Sequence, residues 1–451
     1  METVRENKMG VMPVKRLIVT MSLPMMISMI VQSMYNIVDS IFVSRINEDA
    51  LTAVTLAFPL QMLIVSIGSG TGVGINALLS KALGEKDFEK SDKAANMGVM
   101  LIFFSYLVFV ALGFTVVTPF IRSQTDDPQI AEYGITYLSI ICFLSFGALC
   151  QMTLERLLQS TGKTFLSMIA QLSGAITNII FDPIMIFGLF GFPKLGVAGA
   201  AYATVLGQVV AGCLALFLNI RYNREIHFSI KSIMKPDMKV IGRIYAVGVP
   251  SILMMSVGSV MTYTFNRILI AFSSTATAVF GVYFKLQSFF FMPVFGLNNG
   301  LIPVIAYNYG ARNKDRIREA LRFSLCLAVG IMVVGTLVFQ IIPEKLLGLF
   351  NASDYMKEIG ISALHIISIH FPIAGASIAL GSVFQAFSKP VYSLIISVSR
   401  QLIVLLPVAW LLSLTGVVTN VWWAFVIAEL VSLSMSVFFY KRIHDRIIIG
   451  L

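Results

Sequence analysis

The sequence predicts an all-α polytopic membrane protein: twelve transmembrane helices in two six-helix bundles related by a pseudo-two-fold axis along the membrane normal. Three observations lead there. Hydrophobic residues make up 57% of the 451 and charged residues only 12%, against the roughly 25% charge usual in a soluble domain. Twelve apolar runs, each longer than the roughly 20 residues that cross a bilayer, begin near Val14, Ala50, Lys93, Ile130, Thr164 and Leu195, then near Val240, Thr275, Lys314, Tyr355, Pro390 and Gly416. The second six also repeat the first. LPMMISMIVQSMYNIVDS is echoed by VPSILMMSVGSVMTYTFN, so Pro24 answers Pro250; LTAV at Leu51–Val54 answers ATAV at Ala276–Val279, and Gly84 answers Gly310. QSTGK at Gln159–Lys163 answers QAFSK at Gln385–Lys389, and the offset of about 225 residues slides to about 220 where Gly196 answers Gly416.

Six spans per half is an even number, so both halves start on the same side and are parallel repeats. The expected division is an N-terminal bundle over 1–221, a linker over 222–239 and a C-terminal bundle over 240–451, the linker being the one long polar stretch. No cleavable signal peptide is expected, because the first apolar stretch, Leu17–Val43, is too long and lacks a small-residue cleavage site. Cys142, Cys150, Cys213 and Cys326 all fall inside apolar runs, the pattern of buried packing thiols rather than a disulfide or metal framework.

The formal charge of +10 would suggest nucleic acid for a soluble protein, but its distribution gives topology instead. Twenty-four of the 33 Lys/Arg residues fall on one set of connections, including Arg5, Lys8, Lys15 and Arg16 at the N-terminus and Arg221, Arg224, Lys231, Lys235, Lys239 and Arg243 around the linker. The opposite set carries five: Arg45, Arg122, Lys194, Lys345 and Lys357. This bias puts both termini and the linker in the cytoplasm. No nucleic-acid partner is expected.

Chemistry lies with the charges that fall inside spans, since an ionised group at a helix centre costs roughly 2.5–3.5 kcal/mol on insertion scales and marks a site by default. The first half holds Asp39, Glu155, Asp182 and Arg156; the second holds Arg267, Lys285, Arg400 and Glu429. Acids thus dominate one half and bases the other. Asp39 lies about 25 residues into its span and Asp182 about 18, rises of roughly 38 and 27 Å, so both belong toward the outer side and could share a pocket. Glu155, on a descending span, belongs to an inner region. In TNIIFDPIMIFG, Asn178 and Asp182 are four apart and share a helical face; Pro183 removes a backbone donor and is expected to kink the helix. Tyr35 shares a face with Asp39, and Asn36 is close by. Carboxylates, an amide oxygen and hydroxyls suit a hard cation, and the same acids, partly desolvated, suit a proton.

Of the remaining groups, Glu429 and Arg400 are placed to form a structural ion pair, and Arg156 and Arg267 to snorkel from span ends. His365 and His370 are five apart, about 140° around a helix, which favours packing over metal binding. The run Phe289, Phe290, Phe291, Met292 must point all round its helix and cannot form a stripe. No Walker A loop or HExxH motif is present, so ATP drive and zinc proteolysis are not expected, and an enzyme is not the reading.

NIIFDPIMIFG followed by GVAGAAYAT, VDSIFVSRI in the first span, and the Gln-x-x-Gly-Lys turn after the fourth resemble the multidrug and toxic compound extrusion (MATE) family over essentially the whole chain. TLERLLQSTG and IPVIAYNYGARN (Ile302–Asn313) resemble its bacterial MepA-like group. The resemblance implies efflux of amphipathic, often cationic drugs from the bacterial inner membrane, coupled to Na⁺ or H⁺ as the ion and with no other cofactor. It carries the family's acidic site onto Asp39, Asn178 and Asp182, with Thr204 beside them, and an inner coupling or substrate role onto Glu155. Lys285 matches a basic position of the same group and would tune the cleft. Close relatives lack the first-span acid present here as Asp39, so the resemblance leaves the coupling ion open. Small-molecule drugs and the lipid bilayer are the expected partners, and the chain is expected to act as a monomer. A lipid-linked oligosaccharide flippase of the same superfamily is the alternative; the outer acids argue against it.

Overall fold

The computed structural model describes residues 7–350 and 353–451, which are helical with no strand among them; Arg5 lies outside them. The main helices are α1 (Val14–Ser44), α2 (Glu48–Gly84), α3 (Phe88–Thr115), α4 (Pro128–Phe143), α5 (Phe146–Ser160), α6 (Thr164–Phe187) and α7 (Val197–Tyr222). After the linker come α8 (Met238–Ile270), α9 (Ser274–Gly310), α10 (Lys314–Ile341), α11 (Asp354–Ser368), α12 (Phe371–Ala386), α13 (Pro390–Ser413) and α14 (Val418–Ile448). Ten are long and apolar enough to cross a membrane, and there are twelve spans if α4 with α5 and α11 with α12 each count as one.

Those two pairs are bent by 48° and 45°, and a bend within a membrane needs its freed carbonyls satisfied by protein. Tyr106 of α3 donates to the Phe143 carbonyl at the first break. At the second, Thr336 of α10 donates to the Ser368 carbonyl and Gln340 to that of His365, while Pro372, near the start of α12, offers no N–H to continue α11. The repeat has thus kept a bend in the fourth span of each half and a donor one span earlier.

The chain forms two compact units. The first comprises Ile27–Ile252 with Asn7; the second comprises Lys8–Met26 and Leu253–Leu451. They differ from the sequence halves at the N-terminal ends of α1 and α8, and glycine packing explains both cases. In the first unit, Cβ atoms at Gly70 and Gly74 of α2 would stand 2.4 Å from Ile252 Cγ1 and 2.1 Å from the Ile244 carbonyl oxygen. In the second, Cβ atoms at Gly296 and Gly300 of α9 would stand 2.6 Å from the Met26 backbone and from Ser22 Oγ. Gly296 and Gly300 are the repeat partners of Gly70 and Gly74. Each small-xxx-small ledge lets backbones approach closely and seats the start of a helix whose remainder lies in the other unit.

Within the first unit the core gathers Phe109, Tyr137, Ile141 and Ile186. The second buries Phe265, Phe280, Phe339, Phe371 and Trp422. Its 289–292 run divides as its spacing requires: Phe290 meets Phe339, Phe291 meets Phe371, and Phe289 is exposed. The cysteines depart from expectation. Cys142 is buried, but Cys213 and Cys326 are exposed on α7 and α10, because a run apolar all round presents some of its face outward.

Candidate ion site in the first unit

The site is built where α6 and α7 meet. Gly174 and Gly207 face each other so closely that a Cβ on either would lie 2.8 or 2.6 Å from the other's carbonyl oxygen. That close approach carries Asn178, one turn beyond Gly174, against Thr204. Asn178 donates to Asp182 Oδ1 at 3.3 Å and to Thr204 Oγ1 at 3.4 Å. With the amide turned over it donates to Asp182 Oδ2 and accepts from the Thr204 backbone N–H, both at 3.3 Å, which satisfies both of its ends. Asp182 is fully buried, and Asn178 and Thr204 nearly so. Helix α6 runs on through Pro183 to Phe187, leaving the Ile179 carbonyl without its ordinary donor.

Asp39 of α1 meets this group from the same unit, its carboxyl within hydrogen-bonding reach of the Asp182 carboxyl. Two carboxyls hold such a contact only with a proton or a cation between them. Asp39 Oδ1 is buried and has no hydrogen-bond partner among the described residues, an acceptor left open at a cost of about 1–3 kcal/mol unless something donates to it. Tyr35 lies within electrostatic range of both acids. Asn36 stands apart: it is exposed, and its carbonyl accepts from Ser40 on the outer face of α1.

Two residues belong to the site that sequence reasoning passed over. Tyr137 of α4 is buried within electrostatic range of Asp39, Tyr35 and Asp182, and it hydrogen-bonds Gln61 of α2. The signal available in the sequence was a lone amide in the apolar run LAFPLQMLIV. Among the described residues no three His, Cys, Asp or Glu side chains gather as a metal cluster. The donor set is therefore two carboxylates with neutral oxygens, which suits a proton or a monovalent hard cation better than a transition metal.

Glu155 lies elsewhere, on α5, buried and accepting from Gln151 at 3.0 Å. Its neighbour Arg156 does not snorkel. The guanidinium stem lies across Gly72, where a Cβ would meet Arg156 Cγ at 2.6 Å, and Nη1 donates to Gln159, which passes a hydrogen bond to Ser167. Lys285 and Arg267 are both exposed. In the second unit Arg400 and Glu429 form the expected ion pair, Nη1 to Oε2 at 3.0 Å. Arg400 sits in a π-helical stretch, Ser399–Leu405, of the kind often found where a helix is locally re-aimed. His370, at the break before α12, hydrogen-bonds the Ile367 carbonyl and stacks on Phe425.

A profile of the MatE family matches residues 24–184 and 250–411, one block in each half. The chain is 26% identical over 431 residues to the multidrug export protein MepA of Staphylococcus haemolyticus, covering 94% of this chain and 93% of that one. It is 25% identical over 446 residues to MepA of Staphylococcus aureus, covering 96% and 95%. Among solved structures it resembles the outward-facing conformation of a multidrug resistance MATE family transporter of the MOP superfamily, with TM-score 0.92, 25% identity and 98% coverage of both chains. It also resembles a MOP superfamily transporter from Pyrococcus furiosus described as having a binding pocket of reverse polarity, with TM-score 0.89, 25% identity and the same coverage.

Proposed function

We propose that this chain, which belongs to the MatE family, is a cation-coupled multidrug efflux antiporter that works by alternating access. The observation carrying this reading is the Asp39–Asp182 contact, with its open acceptor at Asp39 Oδ1 and its Asn178 and Thr204 supports. A transporter that exchanges drug for an ion needs a buried group whose charge changes when the ion binds. Two carboxyls in contact supply it: with a proton or Na⁺ between them the repulsion is relieved, and without one it returns.

Coupling then follows from linkage. If the bound ion lowers drug affinity, drug must lower ion affinity by the same factor, typically 5–150-fold. The MepA relatives are named as multidrug exporters, which supports amphipathic drugs as the substrate class here. Asp39, Asp182, Asn178, Thr204 and Tyr35 would hold the ion, with Tyr137 and Gln61 fixing the far wall. Glu155 would act separately. The basic bias of one set of connections supports an orientation with both termini in the cytoplasm.

Dye efflux from proteoliposomes under an imposed Na⁺ or H⁺ gradient tests the proposal. One of the two gradients should drive dye out at several times the rate seen without a gradient. If neither gradient changes the rate, the coupled mechanism fails.

A further inference from the structure

The linker after α7 is stapled at two points to α3. The His227 N–H donates to Asp92 Oδ1 at 2.7 Å, Asn96 Nδ2 donates to the His227 carbonyl at 3.0 Å, and the Ser229 N–H donates to Asn96 Oδ1 at 3.0 Å. Asp92 and Asn96 are one turn apart on α3, so they grip two or three residues of extended chain, and Ile226 beside them is buried. Eight residues on, the Asp237 N–H meets Met97 Sδ at 3.3 Å, and the Asp237 carboxylate caps α8 by accepting from the Lys239 and Val240 N–H groups. Between the staples the chain makes one helical turn, Ile230–Ile233, ended by Pro236.

What this stapled segment presents outward is unusual for a polar connection. Ile230 is 76% exposed, Met234 77% and Met238 74%. Each is followed by an exposed lysine: Lys231, Lys235 and Lys239. The two acids of the segment are used inward, Glu225 in an ion pair with Lys163 and Asp237 at the α8 cap. Its outward charge is therefore positive, beside apolar side chains that gain nothing from water. The flanking helices α7 and α8 are both long and apolar enough to cross a membrane, and Tyr222, with Arg221 over its ring at 5.7 Å, is exposed where α7 ends, in the manner of an interfacial anchor.

We propose that residues 230–239 lie on the bilayer surface and dock on anionic lipid headgroups. The lysine ammonium groups would meet the phosphates, while Ile230, Met234 and Met238 enter the headgroup–acyl boundary. Apolar contact alone gives weak, reversible attachment, and a basic cluster supplies the second signal that makes it lasting. The staples to α3 hold the segment in place, so binding does not bear the cost of ordering a free loop.

The test places a bimane label on Met234→Cys in a background with Cys142, Cys150, Cys213 and Cys326 replaced by Ala. The protein is reconstituted in phosphatidylcholine–phosphatidylglycerol vesicles carrying a lipid spin-labelled near the headgroup. The spin-labelled lipid should quench the bimane at least ~2-fold more than aqueous iodide does. That quenching should fall at least ~2-fold in pure phosphatidylcholine, and equally in the Lys231→Gln, Lys235→Gln, Lys239→Gln variant, whose exposed positions leave packing intact. A label quenched mainly by iodide, or equally in both lipids, overturns the proposal, as does quenching that rises with protein density and so reports a second copy.

Discussion

At Asp182 charge and hydrogen bonding can be separated, because Asn keeps the shape and one acceptor while removing the charge. Asp182→Asn should leave insertion and dye binding within a few-fold of the parent but reduce gradient-driven efflux by at least ~10-fold, to the level of empty vesicles. Ordinary gradient-driven efflux in that variant would remove Asp182 from the coupling. At the Arg400–Glu429 pair the expectation concerns stability. Glu429→Gln leaves a guanidinium beside a neutral amide in a buried setting, and breaking a buried pair costs about 3–5 kcal/mol; because Arg400 keeps 29% of its side chain exposed, the lower end applies. Replacing both partners, Arg400→Met with Glu429→Leu, should recover most of the loss in a thermal melt of detergent-solubilised protein. At this scale spacing read well along a helix and poorly across helices. Asn178 and Asp182 meet as their four-residue separation implies, and Asp39 comes within hydrogen-bonding reach of Asp182. Tyr137 and Gln61 come from other spans: the lone amide of Gln61 in its apolar run is a local signal, but nothing local says which helix it meets. Asn36 shows the remaining limit: spacing says which residues share a face, and only packing decides where that face ends.

The helix α2 row Gly68, Gly70, Gly72, Gly74 makes two ledges, since alternate glycines lie four apart on the same side. Gly70 and Gly74 seat the start of α8, while Gly68 and Gly72 seat Met152 and Arg156 of α5. The neighbours differ in what they can yield, which gives a graded prediction. At Gly74 a Cβ would lie 2.1 Å from the Ile244 carbonyl oxygen, and backbone cannot step aside. Gly74→Ala should therefore lower the monodisperse fraction severely. At Gly72 the obstacle is Arg156 Cγ, part of a flexible side chain, so Gly72→Ala should cost about 1–3 kcal/mol. At Gly330 nothing lies within 4 Å, and Ala should stabilise α10 by about 0.5–1 kcal/mol. Size-exclusion profiles after stepped heating rank the three, and equal losses at Gly72 and Gly74 would contradict the ledge argument. The glycine row is plain in the sequence. Which helix each glycine receives is a tertiary fact, because the same spacing would serve any neighbour.

Across the whole chain, composition, apolar runs and the repeat were enough to read the helical class and twelve spans, since each is a local or periodic property. The exchange of the α1 and α8 starts between the two units was not readable, because it depends on which glycine ledge each start meets. Orientation is the whole-molecule property that charge predicts and packing does not. An excess of Lys/Arg holds a connection on the cytoplasmic side during insertion, so the 2–3, 6–7 and 8–9 connections should be inside and the 3–4 connection, with Asp126 and Asp127, outside. In a background with the four native cysteines replaced, Asp126→Cys and Glu89→Cys place exposed thiols on opposite sides. A membrane-impermeant maleimide applied to intact cells should label position 126 strongly. Position 89 should react only after permeabilisation, with at least ~10-fold contrast. The reverse pattern would invert the orientation, and with it the side to which the proposed Asp39–Asp182 ion site belongs. Equal labelling of both positions in intact cells would show that the basic connections do not fix a single topology.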